Sequence, residues 1–422
     1  MDAAGLREAV AQPPFPAEPD PPDWDYMQCV RYYMTVHRPR ILALLGPRKV
    51  PAFHIRNSWS IRFMCQMVCC KIENLARVRG KLLVPGEDSS MSGLWQSYWR
   101  FMHEQLALVN KLVCENPPKI EEFISALMQL MRFDLVAKGN TWQKHMDGLF
   151  AYIESIGGVG FVLKQTKPAP VICALLRRTI ICNTTSPARM QVLGYDRYTD
   201  KQLTQAFKLF HLHEMPCPSD LFLVVVHVTR IRQRASVINM LNREPFEAAV
   251  QQVFTDIDRF DETVSSKAKR PKDEGLKEAI PRIFKVAVRL YAIMTLPRTA
   301  VLAAFPNVSS YRELRASQRY ELMEGLKIAL AAMASTDESV VLGWPMMVAG
   351  VAAGVPHSRY KSDDPDYEYA LSTKKTVESY FYAHWLDPIS TCVELAILEQ
   401  LRNYWRSGGT EWEECFYQPT PS

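Results

Sequence analysis

The sequence predicts an all-α fold: one large helical domain of roughly a dozen helices with no significant sheet. Three observations predict it. Apolar residues recur at three- and four-residue spacing in one segment after another. Almost no segment alternates apolar and polar residues with period two. The apolar stripes are cut by helix stop signals: Gly80, Pro117-Pro118, Gly139, Gly157-Gly158 and Asp387-Pro388. No internal repeat of fixed length interrupts this pattern.

Residues 1–22 carry six prolines between positions 13 and 22 and read as a disordered tail. A helix is expected after Asp23, through Trp24, Met27, Val30 and Tyr33, ending at Pro39. Ser58 reads as an N-cap for a stripe of Ile61, Cys65, Val68, Ile72 and Leu75, which Gly80 closes. After a loop over 81–92, the stripe Leu94, Tyr98, Phe101, Leu108 and Leu112 follows. Residues 120–136 are helical again. Thr141 is placed to cap a helix over 142–156 with Trp142, Met146, Leu149 and Ile153 on one face. Shorter helices are expected over 169–182 and 200–215. Ser219 and Asp220 open a helix to 241. Its first half, LFLVVVHV, has strand propensity, but no partner strand is evident. Pro245 begins another helix, to about 260. Residues 261–274 (DETVSSKAKRPKDE) are charged, lack apolar periodicity and read as a linker. Helices over 276–295 and 310–334 lead to residues 340–355. That stretch is uncharged, rich in small side chains, and carries Pro345 where a first turn tolerates it. It reads as a short buried helix on which longer helices pack. Residues 358–367 are polar and acidic, and two last helices cover 369–385 and 389–405. Residues 23–260 and 275–422 are therefore expected to be the two helical parts of one domain.

With 48% hydrophobic residues the chain is globular in composition, and a net charge of +5 is too small to argue for nucleic acid by itself. No apolar run reaches the ~18 residues of a membrane span, and the first thirty residues do not read as a signal peptide. The ten cysteines form no CxxC pair, and a reduced intracellular protein is expected. Asn183-Thr-Thr and Asn307-Val-Ser are read as chance matches to the glycosylation pattern. Gly-rich phosphate loops, GxSxG and HExxH are absent, so no cofactor is expected.

Four clusters carry residue types suited to chemistry or recognition. His211-Leu-His213-Glu214 is metal-like in composition, but positions two apart on a helix do not share a face. Cys65 and Cys69 share a face without a second ligand pair, and with Cys70 they read as core. Lys267, Lys269, Arg270 and Lys272 form a basic run in the linker that nuclear import receptors can read. Asp363, Asp364 and Asp366 resemble the aspartate-rich motif with which terpene cyclases hold diphosphate through magnesium. They carry the alternative reading, a magnesium-dependent isoprenoid-type enzyme. Against it, Pro365 is expected to break the helix that would display them. Arg177-Arg178 and Arg230-Ile-Arg-Gln-Arg234 lie on helices without the aromatic interleaving of a nucleic-acid groove.

Five segments, in order, resemble the C-terminal regulatory region of fungal zinc-cluster transcription factors, of the second fungal-specific transcription factor domain family. They are Trp142, His145 and Gly148 running to Gly157-Gly158; Pro218-Ser219-Asp220-Leu221-Phe222 through Ile231; Ala287, Arg289, Leu290 and Tyr291; Trp344-Pro345 with Val348-Ala349-Gly350; and Gly408-Gly409 with Glu411-Trp412. The resemblance implies an all-α regulatory domain, nuclear action, control of transcription without catalysis, and a role beside secondary-metabolite biosynthetic gene clusters. Members of that family usually begin with six cysteines that hold two zinc ions and read DNA. This chain has no such set, so the expected partners are other transcription regulators, a zinc-cluster DNA-binding protein among them, with DNA reached indirectly and no membrane. A small-molecule effector is the other partner expected, since a helical domain with many aromatics can hold an apolar pocket. Trp95, Trp99, Trp344 and Trp385 are the candidates to line one.

Overall fold

The computed structural model describes residues 24–45, 60–115, 119–137, 141–164, 168–208, 217–237, 244–265, 273–335, 341–356, 365–386 and 392–420. Among the described residues the regular structure is helical throughout, with no strand. They fall into two compact units. One consists of residues up to Gly158 together with Phe381–Ala396. The other consists of Val159–Tyr380 together with Ile397–Thr420. The boundary at 158 lies inside the first of the two parts expected from sequence. Of the expected linker, Glu262–Ser265 is a helical turn, Asp273 caps the next helix, and 266–272 lie outside the described residues.

The first unit opens at Asp25, whose carboxylate accepts from the Gln28 amide 2.8 Å away and caps the helix Tyr26–Tyr32. The chain does not stop at Pro39. A π-turn, Tyr33–His37, leads into a further helix, Arg38–Leu45. The wider turn relieves the clash between a proline ring and the carbonyl four residues back, so the helix crosses Pro39. The helices Ser60–Arg79, Ser92–Val113 and Ile120–Val136 pack on one another. Their stripes meet in a core of Cys65, Val68, Cys69, Ile72, Leu94, Tyr98, Phe101 and Phe133, which Trp385 joins. Each such side chain contributes about 1.5–3 kcal/mol on burial. Tyr98 ties the core together, its ring 4.8 Å from Phe133 and its hydroxyl donating to the Phe133 carbonyl at 2.8 Å. Helix Trp142–Ser155 follows, stopped by Gly157 and Gly158 in left-handed conformations at φ +111° and +76°. Thr141 precedes that helix without capping it. Its hydroxyl donates instead to the Asp134 carboxylate at 2.6 Å.

The second unit is organised around the helix Glu274–Thr295. The expected face, Ile280, Phe284, Ala287, Val288 and Tyr291, is buried, and so are Ile283, Val286, Leu290 and Ala292. Asp273 caps it by accepting from the Leu276 amide at 2.9 Å. Helices Ser219–Val237, Tyr311–Ser335 and Gly343–Ala352 pack on it. The valine-rich half of Ser219–Val237 is helix, because its branched side chains are buried on a helix surface rather than paired along a strand. Among the helices that escaped the sequence reading are Gly158–Val162, Arg298–Ala304, and Trp412–Cys415 with its Glu411/Glu414 capping box. Pro365 begins the helix Pro365–Leu386 rather than breaking one, as suits its missing amide hydrogen.

Candidate functional site

The signature residues of the second unit converge on the helix Gly343–Ala352. Residues 344–352 are all buried. Pro345 sits in its first turn, where no intrahelical bond is lost. Gly350 is needed for close approach: a Cβ there would lie 3.1 Å from Leu401 Cδ1 and 3.2 Å from Val377 Cγ1. The last carbonyls of the helix are fully taken up. Trp405 Nε1 donates to Gly350 O at 2.9 Å, Arg315 to Val351 O at 2.7 Å, and Arg319 to Ala352 O at 3.1 Å. Two guanidiniums at a buried helix C-terminus both satisfy orphan carbonyls and oppose the negative end of the dipole.

At the other end of the same helix, the Trp344 ring stacks parallel to Phe284 and stands edge-on to Tyr291 at 5.7 Å. Tyr291 in turn lies 5.0 Å from Trp412. Both indoles reach one residue: Trp344 Nε1 donates to Thr184 Oγ1 at 3.0 Å, and Trp412 Nε1 to Thr184 O at 2.7 Å. Thr184 belongs to the turn 183–186 that ends the helix Pro168–Thr184. Arg232 holds this turn from below. It is 2% exposed. Its guanidinium donates to Asn183 O at 3.3 Å, Thr184 O at 3.2 Å and Ser186 O at 2.7 Å, and its Nε to Glu413 Oε1 at 2.8 Å. The Asn183 side chain exchanges bonds with the Val192 backbone at 2.8 and 2.9 Å. Thr185 and Thr420 exchange a further pair, which anchors the chain's last described residues. Burial pushes the Tyr291 hydroxyl up to about 12, with the nearby Arg232 pulling the other way, so it stays protonated.

Most of the donors in this arrangement are spent on backbone carbonyls, with the Thr184 hydroxyl and the Glu413 carboxylate taking the others, so it holds the turn 183–186 in place. Among the described residues no group of three His, Cys, Asp or Glu side chains is placed to hold a metal ion. Of the three acids that carry the isoprenoid alternative, only Asp366 lies within the described residues. Arg319 and Arg312 both donate to its carboxylate, which occupies it with cations of the chain itself.

The other site expectations fall elsewhere. Trp142 is 1% exposed in the first unit. His145 sits there 3.0 Å from Asp134, on the carboxylate that also accepts from Thr141. Gly148 is exposed with open space where a Cβ would stand, and nothing in the structure explains the glycine. Lys267, Lys269, Arg270 and Lys272 lie outside the described residues, as do His211, His213 and Glu214. Trp95 and Trp385 are core residues of the first unit, Trp344 belongs to the second, and Trp99 is exposed. Asn183 and Thr185 are fully buried, which removes that glycosylation match from any enzyme's reach. Sequence reasoning missed Arg232, Thr184, Glu413, Arg315 and Arg319. A signal existed: Arg232 continues the buried stripe Leu221, Val225, Val228, and Arg315 and Arg319 continue Leu322 and Leu326. A cation on an apolar stripe announces a buried hydrogen-bond hub.

The sequence pattern of the fungal specific transcription factor domain matches residues 53–373, about three quarters of the chain. The phomenoic acid biosynthesis cluster-specific transcriptional regulator of Leptosphaeria maculans is 22% identical over 311 residues, which are 73% of this chain and 56% of that protein. The match thus covers little more than half of that relative's length. No solved structure matches the chain.

Proposed function

The chain belongs to the fungal specific transcription factor domain family, and on that premise we propose that it is the regulatory domain of a transcription regulator acting in the nucleus. Its target is a secondary-metabolite biosynthetic gene cluster. It works by binding rather than catalysis, with other transcription regulators as partners and a zinc-cluster protein as the reader through which it reaches promoters. Lys267, Lys269, Arg270 and Lys272 serve nuclear import in this reading, and a small-molecule effector sets its activity.

The observation that carries the reading is the family match over 53–373, together with a relative whose name is that of a cluster-specific regulator. The geometry is consistent with it. Tyr291, Trp344, Pro345, Gly350 and Trp412 serve to pack and hold one helical unit. The test is to tag the protein, image it in its host, and sequence transcripts after deleting its gene. Nuclear accumulation with coordinated change in one set of clustered genes is the expected result. A protein that stays outside the nucleus and whose deletion leaves every transcript unchanged rules the reading out.

A further inference from the structure

Positive charge gathers in the first unit without matching acids. From residue 26 to residue 72 the sequence has no Asp or Glu, against eight Lys and Arg. Three elements then bring cations to one place. On the helix Ser60–Arg79, Cys70, Glu73, Asn74 and Arg77 share a face by their three- and four-residue spacing. From Ile120–Val136, Arg132 Nη2 reaches this face, 2.7 Å from Glu73 Oε2 and 3.4 Å from Cys70 Sγ. From Arg38–Leu45, Arg40 Nη1 donates to the side-chain oxygen of Asn74. His37, one residue before that helix, lies within the field of Arg132, Arg40 and Arg77 together.

The charges do not balance where they meet. Glu73, 2% exposed, answers Arg132, while the partner of Arg40 is a neutral amide. Arg132 Nε is buried with no hydrogen-bond partner. Partly buried cations repel through a medium that screens them poorly, and buried guanidinium hydrogens require acceptors. Yet His37, Arg40 and Arg132 are each only half-buried, so solvent reaches the cluster. Arg40 and Arg132 both reach the Cys70–Asn74 face, and His37 stands three residues before Arg40 on the same helical run, so two planar guanidiniums and an imidazole offer donors on one solvent-reached side that suit an oxyanion.

We propose that His37, Arg40 and Arg132 form a binding site for the phosphate or carboxylate group of a small metabolite. The anion accepts from the Arg40 and Arg132 guanidiniums and from a ring N–H of His37. This goes beyond the regulator reading and stands without it.

The test is calorimetric titration of the full chain at low chloride, with inorganic phosphate in one series and citrate in another. Saturable binding of at least one, with a raised Tm, is expected, and the tighter of the two assigns the group as phosphate or carboxylate. Arg40→Gln and His37→Gln should each weaken it by about tenfold, the scale of one lost charge-assisted hydrogen bond. Arg40→Lys should retain part of the affinity, and the exposed Lys111→Gln, on another helix, should retain all of it. If Arg40→Gln fails to fold, His37→Gln decides. Absence of saturable binding by both anions, or wild-type affinity in a folded Arg40→Gln or His37→Gln variant, overturns the proposal.

Discussion

Replacing Arg232 with methionine keeps the stem of the side chain and removes its donors, so the cost can be worked bond by bond. Ser186 O receives no other described hydrogen bond and becomes a buried orphan, which costs about 1–3 kcal/mol. Asn183 O keeps the Ser186 amide at 3.3 Å and Thr184 O keeps the Trp412 indole, so each loses about 1 kcal/mol. Glu413 is half-exposed and returns to water at little cost. The total is about 3–5 kcal/mol, a large share of the ~5–15 kcal/mol that stabilises a domain. Urea unfolding followed by circular dichroism and tryptophan fluorescence reads this directly, with Trp344 and Trp412 as local reporters. Arg232→Lys should recover only part, because one ammonium cannot span the carbonyls that the guanidinium fork reaches. Glu413→Gln should cost less than about 1 kcal/mol. The reasoning is refuted if Arg232→Met costs under about 1 kcal/mol, or if Glu413→Gln costs as much as Arg232→Met.

Other outcomes follow from the same geometry. Trp344→Phe keeps the aromatic packing but loses the bond to Thr184, and should lower stability by about 1–2 kcal/mol in the same unfolding assay. Gly354→Ala places a Cβ 2.4 Å from the Gly409 carbonyl oxygen and should cost about 3 kcal/mol or more, whereas Gly148→Ala, in open space on a helix, should stabilise by about 0.5–1 kcal/mol. Comparing the Tm of those two variants checks both. His37 is depressed to about 4, by burial first and then by Arg132, Arg40 and Arg77, with Tyr32, Cys70 and Glu73 the other titratable groups nearby. Since its folded pKa lies below the ordinary value, its contribution is fully present above pH ~6.5 and is lost as pH falls towards 4. His37→Gln should therefore flatten the decline in unfolding free energy, read from urea titrations, between pH 7 and pH 4.5 by about 1–2 kcal/mol, discounted for its partial exposure.

Most of the helices were legible because their signals are local. Residues 120–136 carry a stripe and bounds that coincide with the helix Ile120–Val136, and Gly80, Gly157 and Gly158 stop helices from the left-handed conformations that glycine tolerates. Proline misled twice because its effect depends on the turn around it. Before Pro39 a π-turn makes room, and Pro365 occupies a first turn rather than an interior. Trp344, Tyr291 and Trp412 could be singled out by the order of their motifs, but spacing could not say that they meet. Their meeting point was hidden for a physical reason. Thr184 and Ser186 contribute backbone carbonyls, which leave no trace in the sequence, and Arg232 lies 48 positions from Thr184 and 181 from Glu413. Helical periodicity sees three or four residues along the chain and no further.

The most direct test of the central reading is recovery of the tagged protein from nuclear extract, with mass spectrometry of the bound proteins and sequencing of the associated DNA. Control of a gene cluster through a tethering partner predicts a zinc-cluster protein together with promoter fragments from one biosynthetic cluster. Clean recovery of the tagged chain with neither would contradict it.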